Sequence, residues 1–385
     1  MVLDILTLLV VFCLGFSFPE LYTNQLSKKD RLSLRQLWIL HLLVSLYFCF
    51  FVFGDAIGYW RASKNMSFQS FVLNLYEAKG TYFLYSLNYF PAKVLNLSYF
   101  AGTMLYSFLG FVGITYFYIV VVKTIPYNSK FKKIKLFPNL LFLPNLHFWS
   151  SGIGKDTLLF LAIAMFCYSM LNIKRNIVFL IFSLILSFLV RPHITLFLAV
   201  SFGLAYLFSQ DVSAIKRAFL VLILIGLSIK ILPVVLEYSK IEETSIDSFD
   251  KFSKKKASAL SGVSSGSSID ISSYPFPLKV FSFLYRPFFF DIRSIPALIA
   301  SVENLILLVL TIRVLKNEPL KTFNSSPTVI KGLLFFLIIG TLAFSQSLGN
   351  IGIMIRMRNM FLPGMLIFFL WSFSCVRSKS ITSAP

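Results

Sequence analysis

The chain has 385 residues, 57% hydrophobic and only 14% charged, with a mean hydropathy of +0.78. That balance excludes a soluble globular domain, which needs far more polar surface to cover its core. The net charge of +20 lies mostly in short loops between apolar blocks, where it reads as membrane topology and attraction to anionic lipid, not as nucleic-acid binding.

In chain order the apolar blocks are 3–18, 36–54, 97–122, 136–150, 156–172, 176–190, 194–209, 217–236, 294–313, 329–347 and 358–375. They predict an all-α, polytopic transmembrane bundle of eleven spans, forming one membrane-embedded domain over 1–385. The first block carries Asp4 and no basic leader, so it reads as a retained helix and not a cleaved signal. Several blocks are short for a hydrocarbon core of ~30 Å, which leaves room for tilt, local thinning or re-entrant pairs. Cys13, Cys49, Cys167 and Cys375 sit in or beside apolar blocks without metal-ligand spacing and read as small buried residues.

The basic loops share one side if each block crosses once. They hold Lys28 to Arg35, Lys123 to Lys135, Lys174 and Arg175, Lys216 and Arg217, Arg313 to Lys331, and Arg377 with Lys379. The positive-inside rule makes that side cytoplasmic, with the N-terminus outside and the C-terminus inside. Two outer loops are long. Residues 55–96 are aromatic and amphipathic enough for interfacial helices, and are expected to form a catalytic-type loop. Residues 238–282 begin mixed-charge and Ser-rich, which predicts mobility; the aromatic stretch running on to 293 is expected along the interface.

Charges at the outer helix ends run against the topology bias, so each needs a reason. Asp55 and Arg61 occur in GDAIGYWR; His147, Lys155 and Asp156 in HFWSSGIGKD; Arg191 and His193 in RPH. Arg286, Asp291 and Arg293 occur in YRPFFFDIR, and Arg356 and Arg358 in IRMRNMFLP. Taken singly, Asp55 caps a helix, Lys155 pairs with Asp156, and the arginines snorkel to headgroups. Glu303 and Asn304 lie inside a span, where they either bond between helices or support a site.

Taken together, five segments deliver one sparse set of carboxylates amid Arg, Lys and His to one face. Arg gives bidentate phosphate contacts and Lys a point charge, so Lys155, Arg191, His193, Arg286, Arg356 and Arg358 are expected to bind a phosphate-bearing donor. Arg61, His147, Asp156, Asp291 and Arg293 are expected to support them. Asp55 suits a general base or a divalent cation, magnesium or manganese, and the sequence does not select between these. GIGKD is no phosphate-binding P-loop, because Trp149 stands at the first Gly position and Asp156 replaces the magnesium-binding hydroxyl.

GDAIGYW, opening a long aromatic outer loop after an early span, resembles the membrane-embedded GT-C glycosyltransferases. IRMRNMFLPGML resembles their Arg-containing, Pro-ended segment before a late helix. HFWSSGIGKDTLLF and RPHI look like segments of polymerase-like membrane proteins from bacterial surface-polysaccharide clusters. The resemblance implies a glycosyltransferase or polysaccharide polymerase of the bacterial inner (plasma) membrane, taking a polyprenyl-phosphate-linked saccharide at its outer face. It implies Asp55 as the catalytic carboxylate and Arg356 or Arg358 on the donor phosphate. Many such enzymes carry two acidic residues close together, whereas here the next after Asp55 is Glu77. The alternative expectation is a transporter or flippase of lipid-linked saccharides.

Overall fold

The computed structural model describes residues 1–52, 54–131, 133–209, 213–239, 269, 271 and 273–382. Most of the 238–282 segment expected to be mobile lies outside these residues. The described chain is almost entirely helical. In order come α1 (Val2–Ser17), α2 (Lys28–Phe51), α3 (Asp55–Asn65), α4 (Phe68–Glu77), α5 (Thr81–Tyr89), α6 (Tyr99–Thr124), α7 (Pro144–Phe148), α8 (Lys155–Ser169) and α9 (Ile177–Val190). There follow α10 (Pro192–Leu207), α11 (Ala214–Ser239), α12 (Phe276–Tyr285), α13 (Ile295–Leu315), α14 (Pro319–Asn324), α15 (Thr328–Ser345), α16 (Ile351–Arg358) and α17 (Leu362–Thr382). A two-stranded antiparallel ribbon, β1 (Lys130–Phe131) and β2 (Ile134–Lys135), pairs Lys130 with Lys135.

Six helices are long and apolar enough to cross a membrane, or seven if α16 and α17, bent by 59°, form one span. These seven match seven of the eleven apolar blocks. The blocks at 156–172, 176–190 and 194–209 fold as helices of 15, 14 and 16 residues. At 1.5 Å per residue each is only about 21–24 Å long, short of a ~30 Å core. The block at 136–150 contains a 3₁₀ turn, Asn139–Phe142, and the five-residue α7.

The chain divides into two compact units, residues 1–123 with 137–195 and residues 124–136 with 196–385. In the first, polar contacts sort the helix ends. At one end Tyr118 donates to Asp30 Oδ1 at 2.9 Å and Gln25 to the Tyr168 hydroxyl at 3.0 Å. At the other, the Ser98 amide donates to Asp4 at 2.7 Å and Lys155 to Thr81 at 2.8 Å. α2 starts from a capping box, in which Ser27 and Asp30 satisfy each other's amides.

The stretch after Leu136 climbs between these ends. Phe137 packs on Tyr118, His147 meets His41 of α2, and Gly152 lies against Phe48. Its backbone passes so close to α6 that a Cβ on Gly110 would fall 1.8 Å from the Ser150 carbonyl oxygen. Irregular backbone is tolerated at such depth only where protein surrounds it.

The second unit sorts in the same way. Ser129 donates to the Phe373 carbonyl at 2.8 Å, Trp371 to Thr322 at 3.0 Å and buried Lys331 to Asn324 at 2.9 Å. At its other end the Ile269 amide donates to Gly349 at 2.9 Å and Arg358 to Asn304 at 2.6 Å.

Gly110→Ala forces Ser150 away and is expected to cost about 1–3 kcal/mol, as overpacking does. Gly58→Ala, where an added Cβ meets nothing within 4 Å, is expected to be neutral or to stabilise by up to ~1 kcal/mol through helix propensity. Thermal unfolding of the detergent-solubilised variants checks both.

Candidate functional site

α8 and α9 form an antiparallel hairpin whose turn carries Lys174 and Arg175 and whose open end carries Lys155, Asp156 and Arg191. The open end is closed by an ion pair. Arg191 Nη2 lies 3.2 Å from Asp156 Oδ1, with the two side chains only 11% and 8% exposed. Arg191 follows the last residue of α9 in extended conformation, as the residue before Pro192 must. α5 lies across this end: the Gly80 amide donates to the Leu189 carbonyl at 2.7 Å, and Lys155 Nζ donates to Thr81 Oγ1.

The chain enters α8 through a buried loop, Ser150 to Gly154. Thr157 Oγ1 donates to the Gly152 carbonyl at 2.6 Å and fixes the turn. No side chain caps the first turn of α8. Gly154, at the N-cap, is buried, yet a Cβ there would meet no atom within 4 Å. Lys155 and the Asp156–Arg191 pair stand at this start of α8. The helix dipole favours negative charge at this start, and the Asp156 carboxylate stands in that first turn.

Of the residues expected from the sequence, Lys155, Asp156 and Arg191 come together here. His193 follows in the first turn of α10, half-buried. Asp55 and Arg61 stand exposed on α3. α3 packs on α5, and its Trp60 ring covers Gly102 of α6, where a Cβ would lie 2.4 Å from it. His147 is not at the open end: it is fully buried against His41. Thr81 and His41 were not anticipated, and no sequence spacing links them to their partners.

The second unit holds the remaining expected residues. Arg286 grips Asp291 bidentately, Nε to Oδ2 at 2.9 Å and Nη2 to Oδ1, while the Phe288 amide also donates to Asp291 at 2.9 Å. Arg286 further reaches the Tyr274 hydroxyl at 3.3 Å and stacks over Phe290. Arg358, 2% exposed, donates to the Leu284 carbonyl and, at 3.4 Å each, to those of Phe283 and Arg286. Its Nη2 donates to Asn304 Oδ1, and Asn304 in turn donates to the Pro287 carbonyl at 2.9 Å. Arg358 therefore caps the C-terminus of α12, and buried Glu303 on α13 lies within its electrostatic reach. Arg356 is half-exposed and Arg293 exposed.

Among the described residues no three of His, Cys, Asp or Glu gather as a metal site. No family model, curated protein or solved structure matches the chain.

Burial raises the Asp291 carboxyl, but the Arg286 and Phe288 hydrogen bonds and the Arg286 and Arg293 charges outweigh it, holding it below its ordinary 3.8. A depressed carboxylate adds stability above its unfolded value, and loses it as pH falls through the lowered one. The stability gap between wild type and Asp291→Asn is therefore expected to be full at neutral pH and to shrink only below pH 3.8. Denaturation measured against pH checks this; a gap closing near pH 6 to 7, in the ordinary histidine range, contradicts it.

Proposed function

We propose that this protein is a membrane-embedded glycosyltransferase or polysaccharide polymerase that takes its sugar from a polyprenyl-phosphate carrier at the outer face of a bacterial plasma membrane. The observation that carries the reading is the largely buried Arg191–Asp156 pair, with Lys155, at the start of α8. The flanking apolar helices offer a path for the carrier's tail, and exposed apolar residues of α4 such as Phe68, Leu73 and Tyr76 suit the membrane interface.

In this reading an acceptor hydroxyl attacks the anomeric carbon as the bond from that carbon to the phosphate oxygen breaks. Asp55 takes the hydroxyl proton, and the phosphate departs with its electron pair towards Lys155 and Arg191. Asp156 holds Arg191 in place. Within the second unit, Arg286 and Arg358 hold the α12 end through the bonds described above.

A second reading, transport of the same lipid-linked saccharide, is favoured by the break between α16 and α17 with Arg358 beside it, since transporters build sites from broken helices. Detergent-solubilised protein separates the two, because a transferase still forms a glycosidic bond there and a carrier forms none. Asp55→Asn is expected to lower turnover by about 10²–10⁴-fold, as loss of a general base does, with the protein retained in the membrane. Arg191→Lys and Lys155→Met are expected to raise the KM for a polyprenyl-linked donor by about tenfold, or 1.4 kcal/mol. Normal polymer from Asp55→Asn refutes its role as base.

A further inference from the structure

α2 and the broken segment before α8 meet at two imidazoles that are both 0% exposed. His41 Nδ1 and His147 Nδ1 are 3.0 Å apart, and His147 Nε2 lies 2.8 Å from the Leu141 carbonyl. Counting protons assigns the tautomers of the neutral pair. A carbonyl only accepts, so His147 carries its proton on Nε2 and presents a bare Nδ1. His41 must then donate through Nδ1. Its Nε2 is left bare, with no hydrogen-bond partner among the described residues. The Ser107 backbone lies alongside His41 and would draw the proton to Nε2, but two bare Nδ1 atoms would then face each other across 3.0 Å. The shared contact decides for His41 Nδ1–H.

The need for this bond follows from the break in the segment. In a 3₁₀ turn the Leu141 carbonyl would accept from the residue three places on, which is Pro144 and has no N–H. His147 supplies the missing donor from its side chain. Above it, Ser45 Oγ donates to the Ser151 carbonyl at 3.3 Å, and Phe48 covers Gly152. Residues 41, 45 and 48 share one face of α2, so α2 grips the segment at three successive heights below Lys155.

We propose that His41 and His147 are positioning residues: their directed Nδ1–H···Nδ1 bond sets the height and rotation of the loop that presents Lys155, Asp156 and the amides of α8. The inference rests on reading that terminus as the donor-phosphate site. An Asn side chain places an N–H where imidazole has Nδ1, and a Gln side chain places one nearer Nε2. His41→Asn therefore keeps the bond, His41→Gln loses it, and neither amide replaces both roles of His147.

The test uses the full-length protein in nanodiscs. Nitrogen-15 spectra of histidine-labelled protein are expected to show His41 protonated on Nδ1 and His147 on Nε2. Hydrogen exchange of amides 149–157 is expected to match wild type in His41→Asn and to rise about tenfold in His41→Gln and His147→Asn through local opening. In those two variants the KM for a polyprenyl-linked donor is expected to rise with kcat less affected, the mark of a displaced binding group. His41 protonated on Nε2, or on both nitrogens, overturns the proposal, as does unchanged exchange in His41→Gln. If wild type shows no turnover and binds no farnesyl phosphate, the functional reading fails, while the spectra and exchange still decide the positioning role.

Discussion

Backbone that leaves the helix inside an apolar bundle must find every donor and acceptor within the protein. Residues 137–154 obey that constraint, and the rest of the first unit is arranged around them. Gly110 lacks a side chain because the Ser150 carbonyl occupies its place, His147 serves a carbonyl that Pro144 cannot, and Ser150 Oγ turns back to Leu146 at 2.6 Å. What the break gives is a helix start inside the bundle: α8 begins with Lys155 and the Asp156–Arg191 pair beside it instead of at a solvent-facing loop.

The two units use their largely buried arginines differently. Arg358 is spent on three main-chain carbonyls and Asn304, a set that satisfies a guanidinium deprived of water. Moving it would unlock α12 from α13 and α16. Arg191 pairs with the Asp156 carboxylate at 3.2 Å at the mouth of the hairpin. Burying an ion pair brings little net stability, because desolvation offsets the attraction.

Much of the architecture was legible in the sequence. Six apolar blocks, or seven with the bent α16–α17 pair taken as one, are helices of spanning length because hydropathy and length are local properties. The short blocks were counted as spans on hydropathy alone, and what shortens them is tertiary: the Pro144 break, the turn at Lys174 and the Arg191–Pro192 kink. The sequence named Lys155, Asp156 and Arg191 as charges against the topology bias, but not that Asp156 would pair with Arg191 across the hairpin. Thr81 and His41 were not anticipated, since a threonine in an interfacial loop and a histidine mid-helix carry no periodic signal. Arg356 and Arg358 look equivalent in IRMRNM, and only the position of α12 decides which one is buried.

The central claim is that the start of α8 receives the phosphate of a lipid-linked donor. Photocrosslinking with a diazirine-bearing polyprenyl phosphate, read by peptide mass spectrometry, tests it most directly. The account predicts labels on residues 149–157 and 189–193 that are competed by unmodified polyprenyl phosphate and lost in Lys155→Met. Labels confined to other segments, or insensitive to Lys155, would contradict it.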